Sequence, residues 1–353
     1  MSIRNRLATL LKSKPYSLSE LLEQLRKVRL NHTYVALCPK PTGGNWLGIN
    51  NATQQLFTNA FIEVPQLYSN QVLTDKDLQT FCDEIEKLKF ENLVLSGYPA
   101  YFEKIVNHLS GKLKIGILLH GTFTELGYGP SASFPMSAPM HLLKQKRIQK
   151  AAAVRKDVAD FIKSHWNLPT YYFMYKCIVD DTFLPEKKED AGHKKIGVFG
   201  VNNFNKNIHN QVCGALLVPN AKVYVGNADN FSYLQSDKII GVGRHSWRNF
   251  VTITGGMDVN LHLSFSESWG QITVESMALG VPCMVSPTTN VLDNDEWLRE
   301  NLLITHIDSP TKIAEAIQKV LTLDSVDMSR RCKLYVQQLN SQADVLLQEF
   351  LNA

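Results

Sequence analysis

Leu21, Leu22, Leu25 and Val28 recur at helical spacing behind Ser17, a residue able to cap, and predict a helix over residues 18–30. Residues 33–38 then form a compact β-prone run, which enters the turn Pro39-Lys40-Pro41-Thr42-Gly43-Gly44 and a helical stretch to about Phe57. The same alternation continues with a helix over 78–88, a strand over 92–96, a helix over 100–109 and a strand over 114–120. After His120-Gly121-Thr122 the pattern dissolves into a segment, residues 127–140, that is rich in glycine, proline and serine and reads as a long loop. Residues 144–166 read as one basic helix. A polar stretch over 185–192 separates this series from a second, with strands at 195–199, 222–225, 239–242, 258–264 and 281–285 and helices at 207–217, 310–323 and 328–350. Strands that alternate with helices in this way build parallel, doubly wound sheets, so the predicted class is α/β with two such domains.

Composition changes this picture little. A chain of 353 residues exceeds one ordinary core and suits two domains. Hydrophobic residues make up 44% and charged residues 20%, the balance of a folded globular protein. A net charge of +4 is too mild to point to nucleic acid, and the basic segment 144–166 lacks interleaved stacking aromatics. The six cysteines are scattered without metal-site or redox spacing, and no apolar run approaches membrane-spanning length or the core of a signal peptide. A reducing cytosol is the expected location, which leaves three glycosylation triplets without consequence.

Chemistry enters at residues 264–286, SFSESWGQITVESMALGVPCMVS, where Glu267 and Glu275 are separated by seven residues. A β-prone run, a break at Gly270 and a helical register of Val274, Met277 and Ala278 give strand, turn and helix in order. Ligands of open α/β sheets bind beyond the carboxyl ends of strands, where a helix start attracts a diphosphate. Carboxylates there repel phosphate, so the two glutamates are better suited to accept hydrogen bonds from flanking hydroxyls. A nucleotide diphosphate sugar carries hydroxyls on both sides of its diphosphate.

Ser264, Glu267, Ser268, Trp269, Gly270, Glu275, Ser276, Met277, Ala278, Gly280 and Pro282 fill a pattern that resembles the signature of retaining glycosyltransferases of the GT-B fold, in particular glycosyltransferase family 4. The clear match covers about forty residues. The resemblance implies two Rossmann-like domains facing each other across a cleft: an acceptor-side domain over residues 1–185, a linker over 186–194, a donor domain over 195–335, and a final helix over 336–353 that packs back on the first domain. It assigns Glu275 to ribose hydroxyls, Glu267 to the donor sugar, Lys206 to the diphosphate, and Gly270, Gln271, Ile272 and Thr273 to the helix start beneath the donor. Gly243 and Arg244 fall where similar enzymes hold the base. Gly43 and Gly44 form either a loop close to the substrates or a plain turn, and His120 either faces the transferred sugar or is structural. The family commonly has an arginine ahead of the lysine; this chain offers Asn202 or Asn203 there, which adds no charge. Asp293-Asn294-Asp295 reads as a helix cap, so no metal is required.

The expected activity is transfer of a sugar from a UDP- or GDP-sugar, with no other cofactor, to a hydroxyl on a glycan, glycolipid or glycoprotein, lipid-linked acceptors included. The loop over 127–140 reads as an acceptor-side lid. The basic segment 144–166 and Arg4, Arg6, Lys12 and Lys14 are either solvated faces or a peripheral contact with anionic lipid or an acidic acceptor. A rival reading is a non-catalytic nucleotide-sugar or carbohydrate-binding relative that the missing arginine has silenced.

Overall fold

The computed structural model describes residues 17–41, 46–65, 73–124, 130–179, 181–183, 192–243 and 245–353. The chain divides into two compact units, one of residues 1–120, 129–152 and 161–171, the other of residues 121–128, 153–160 and 172–353.

The first unit carries strands β1 (Tyr34–Pro39), β2 (Phe61–Val64), β3 (Asn92–Ser96), β4 (Lys114–Leu119), β5 (Lys150–Ala153) and β6 (Thr170–Tyr172) in the order β2-β1-β3-β4-β5-β6. β1 pairs in parallel with β2 and β3, and β3 with β4. Every residue of β3 is buried, the state expected of a strand covered on both faces and the reason its apolar run is unbroken. Helices α1 (Leu18–Asn31), α2 (Leu47–Phe57), α3 (Asp75–Lys87), α4 (Phe102–Leu109), α5 (Pro130–Lys144) and α6 (Lys156–Trp166) alternate with these strands. The Ser17 hydroxyl accepts from Glu20 N at 3.2 Å, the cap its sequence position predicts.

Two expectations fail in this region. Residues from Pro130 onward form α5 rather than a loop, with proline in the first helical position, where its missing N–H costs nothing. The basic segment is not one helix: α5 ends at Lys144, β5 follows, and α6 opens at Lys156. Ala151, Ala152 and Ala153 favour helix intrinsically, but they are fully buried and Ala151 N donates to Pro169 O at 2.9 Å, so sheet pairing overrides propensity. Lys150, expected on a solvated face, is 3% exposed, and burial, reinforced by Lys114, lowers its pKa to about 8. The basic residues of the first sixteen positions lie outside the described residues.

The second unit carries β7 (Lys194–Val198), α7 (Ile208–Leu216), β8 (Ala221–Val225), β9 (Ile239–Gly241), α8 (Trp247–Gly255), β10 (Val259–His262), α9 (Gln271–Ala278), β11 (Cys283–Val285), α10 (Glu296–Leu302), α11 (Pro310–Leu321) and α12 (Ser325–Asn352). Its sheet runs β11-β10-β7-β8-β9, and all four pairings are parallel. The chain winds outward from β7 through β8 to β9, then returns to the other side of β7 to lay down β10 and β11. The order therefore reverses between β7 and β10, and the carboxyl ends of those two strands mark the switch point where open α/β sheets take their ligands.

The long helix α12 is capped by Asp324 and buries Met328, Cys332, Tyr335, Val336, Leu339, Ala343, Leu347 and Phe350. Gly280, in the turn between α9 and β11, has φ +80°, and a Cβ there would crowd the Ser329 and Lys333 side chains of α12, so a larger residue is strained. All six cysteines are free thiols, five of them buried. Among the described residues no helix is long and apolar enough to cross a membrane.

Candidate nucleotide-sugar site

The switch point brings two loops together. After β7 the chain forms a short 3-10 turn, Phe204–Lys206, in which the Asn203 side chain accepts from Lys206 N at 3.0 Å. After β10 it forms the turn that carries Glu267. Phe265 N donates to Asn205 O at 2.8 Å, Asn207 Nδ2 donates to Leu263 O at 3.1 Å, and Gln211 Oε1 accepts from Leu263 N at 3.1 Å. These bonds stitch one loop to the other and set Lys206 beside Glu267, 61 residues away in sequence.

Glu267 is 8% exposed and its Oε2 is crowded with donors. Lys206 Nζ lies at 2.5 Å, His262 Nε2 at 2.8 Å and the Ser264 hydroxyl at 3.3 Å. Oε1 accepts from Ser268 N at 3.1 Å. Burial is the largest single influence and works to raise the carboxyl pKa, but His262 and Lys206 together outweigh it and hold Glu267 well below the ordinary carboxylate range. Arg155 supports the same turn, since its guanidinium donates to the main-chain oxygens of Glu267 and Thr288 while pairing with Asp157. Neither His262 nor Arg155 is anticipated by the sequence. His262 looks like one more residue of a buried strand, and Arg155 lies 112 residues from Glu267.

Glu275 is placed differently. It is 5% exposed, in the second turn of α9, where Trp247 Nε1 donates to its Oε1 at 2.7 Å. Burial raises its pKa to about 7, and the indole bond opposes this only in part. Trp247, missed by the sequence reading, opens α8 and packs edge-on against Phe183 at 5.6 Å. Gly270 caps α9 with φ +91°, and a Cβ there would come within 3.1 Å of the His262 ring and 3.3 Å of the Thr273 hydroxyl. Gln271, Ile272 and Thr273 form the first turn of α9, and Thr273 N donates back to Gly270 O at 3.0 Å.

The remaining candidates divide. Asn202 Oδ1 meets His209 Nε2 of α7 at 3.1 Å and Asn203 caps the lysine turn, so both carboxamides already have partners. Gly243 follows β9 with φ +80°, and beyond its chain neighbours no described atom lies within 4 Å of its Cβ position. Gly43, Gly44 and Arg244 lie outside the described residues. His120 belongs to the first unit, where it follows β4, is 8% exposed and meets the Ser96 hydroxyl at 2.9 Å. Burial lowers its pKa to about 3, so it is a neutral imidazole at physiological pH. Asp295 accepts from Leu298 N at 2.8 Å as the cap of α10, the role expected of it, and Asp293 accepts from Asn290.

No family's sequence model matches the chain. No curated protein matches it by sequence. Solved structures do match by shape. Anabaena HepE in complex with UDP and glucose superposes with a TM-score of 0.64 at 12% identity, over 90% of this chain and 99% of that one. The sucrose-phosphate synthase of Thermosynechococcus elongatus gives 0.63 at 13% identity, over 90% and 98%. An α,α-trehalose-phosphate synthase (UDP-forming) from Burkholderia xenovorans, in complex with glucose-6-phosphate, gives 0.61 at 10% identity, over 90% and 99%. At these identities the likeness speaks for architecture: two Rossmann-like units, each built on its own parallel sheet, in the GT-B fold.

Proposed function

We propose that this protein is a retaining glycosyltransferase of the family 4 type, moving a sugar from a nucleotide diphosphate sugar to a hydroxyl acceptor. The observation that carries this reading is Glu267, a buried carboxylate kept ionised by Lys206 and His262 at the switch point of the second sheet. Such a group accepts hydrogen bonds from sugar hydroxyls, and the lysine beside it is the cation a departing diphosphate needs. Lys206 neutralises Glu267. A diphosphate at the amino end of α9 competes for that ammonium and gains it as leaving-group charge develops. Glu275, inside α9, accepts from ribose hydroxyls, and the open backbone at Gly243 receives the base. Donor positioning and leaving-group stabilisation carry the acceleration.

Residues 195–335 form the donor domain in this reading and residues 1–185 the acceptor side, with His120 presenting a neutral imidazole there. The UDP held by HepE and the sugar phosphate held by the trehalose-phosphate synthase favour a UDP-sugar donor and a sugar or sugar-phosphate acceptor. The protein acts in the cytosol, and any contact with lipid rests on the basic residues of the first sixteen positions. Release of nucleoside diphosphate from a panel of UDP- and GDP-sugars, with and without acceptor and in excess chelator, tests the activity. Glu267→Gln is expected to lower turnover and spare nucleotide affinity, whereas Glu275→Ala weakens nucleotide binding by roughly 1.5–3 kcal/mol, the scale of hydrogen bonds to a charged group. Wild-type protein that turns over none of these donors, or a Glu275→Ala variant with undiminished nucleotide affinity in calorimetry, overturns the reading.

A further inference from the structure

His262 is the residue on which the parts of the signature converge. Its Nε2 lies 2.8 Å from Glu267 Oε2, and its Nδ1 lies 3.0 Å from the Thr273 hydroxyl. Its ring underlies Gly270, where any Cβ would approach Nδ1 to 3.1 Å and Cε1 to 3.2 Å. Three positions of the 264–286 segment, the carboxylate, the glycine and a residue of the helix's first turn, therefore share one imidazole that lies outside the segment. The ring is 5% exposed and sits in β10, a strand paired on both sides, by β7 and β11. Such a support cannot follow a mobile loop.

We propose that His262 is a positioning residue that fixes the Glu267 carboxylate from the sheet side, so that Lys206 can leave it for a phosphate without freeing it. The assignment of Glu267 to a donor sugar rests on the function proposed above; the hold of His262 on Glu267 does not. Two partners on opposite ring nitrogens define the imidazole's plane, so the Nε2–H vector is set before any ligand arrives. Lys206, 28% exposed in its side chain against 5% for His262, is the partner that solvent and a ligand can reach. The titratable and charged groups facing Glu267 are His262 from β10, Lys206 from the turn after β7, and Arg155, whose guanidinium rests on the Glu267 carbonyl. Loss of Lys206 to a phosphate leaves His262 and Ser264 on Oε2 and Ser268 N on Oε1, which keep the carboxylate oriented.

The test compares two isosteric replacements. His262→Gln keeps an amide nitrogen near the Nε2 position, while His262→Asn keeps a polar atom only on the Thr273 side and cannot reach Glu267. Titration of selectively 13C-labelled glutamate, with the Glu267 signal identified by its loss in Glu267→Gln, reads the hold directly. The carboxyl should titrate at higher pH in His262→Asn than in wild type, with His262→Gln between them. In turnover with the preferred nucleotide sugar, His262→Asn should lose about a hundredfold in kcat and His262→Gln about tenfold or less, with nucleoside diphosphate affinity within about threefold of wild type in both. Thermal unfolding checks that each variant is folded, and Thr273→Val, which removes the far partner and retains the shape, provides a milder lesion should His262→Asn not fold. An unmoved Glu267 titration in His262→Asn overturns the proposal. So does an equal loss of nucleotide affinity and turnover, which makes His262 mere scaffolding. A moved titration in a protein that turns over no donor supports the positioning role and removes the glycosyltransferase reading instead.

Discussion

The turn ahead of α9 and the second turn inside it each bury one glutamate, and the two carboxylates are driven in opposite directions. Glu267 is held well below the usual carboxylate range and Glu275 is raised to about 7. Burial is comparable, at 8% and 5% exposure, so burial does not separate them. Partners do. Glu267 has an ammonium and an imidazole on one oxygen, whereas Glu275 has the neutral indole of Trp247. In the proposed reading the sugar-facing carboxylate is kept ionised by its partners, while the ribose-facing one lies near its titration point, which makes its binding sensitive to pH.

The largest expected effect comes from erasing the difference at its source. In the proposed reading Lys206→Met removes the cation that serves both the carboxylate and the diphosphate, and kcat should fall about 10²–10³-fold, the scale for losing one preorganised group that stabilises developing charge. The fold should persist, because His262 and Ser264 still hold Oε2. The acid limb of the residual activity should also move to higher pH, since Glu267 loses one of the two partners that depress it. Near-normal turnover at saturating donor means that another group holds the diphosphate.

The second effect is on stability and runs the other way. Glu275 has a folded pKa of about 7 against an ordinary value of 4.5. Between those values the folded protein keeps a proton that the unfolded chain has released, so stability falls as pH rises from 4.5 to about 7 and stays lower above it. The displacement, about 7 less 4.5, corresponds to about 3 kcal/mol at most. Glu275→Gln, neutral at every pH and still able to accept from Trp247, should match wild type in urea unfolding near pH 4.5 and exceed it by up to about that amount near pH 8. A site glutamate whose removal stabilises the fold is one retained for function. Equal stability of the two proteins across this range means that Glu275 is not raised.

How this contrast was concealed in the sequence is instructive. The signature located both glutamates, and strand, turn and helix follow in the predicted order, with β10 at Val259–His262 and α9 at Gln271–Ala278. Such local patterns are legible because a strand and the helix after it are each set by their own periodicity and punctuation. The partners are not local. Lys206 could be placed from its turn after β7, but His262 is an unremarkable member of a buried strand, Trp247 opens a helix the pattern did not reveal, and Arg155 arrives from a segment that reads as a basic helix. The same limit applies to β5, where three alanines join a sheet against their propensity because neighbouring strands offer hydrogen bonds. The edge strands β2 and β6, with four and three residues, are too short to carry a periodic signal.

The smallest effect sharpens the comparison at the Glu275 end. Trp247→Phe removes the indole N–H that donates to Oε1 at 2.7 Å and keeps a ring to pack against Phe183. That bond lowers the Glu275 pKa, so its loss lets burial push the carboxyl further up and leaves fewer molecules with a charged acceptor at neutral pH. Nucleoside diphosphate affinity at pH 7 should therefore drop about three- to tenfold, near the ~1 kcal/mol of an ordinary hydrogen bond. Near pH 9, where Glu275 is ionised with or without the indole, most of the loss should be recovered. The pH dependence separates electrostatics from packing, since a ring that merely filled space would weaken binding equally at both values. Calorimetry at pH 7 and 9 on wild type and variant decides it: a pH-independent loss assigns Trp247 to packing, and no loss at either pH means that the nucleotide does not depend on Glu275 as an ionised acceptor.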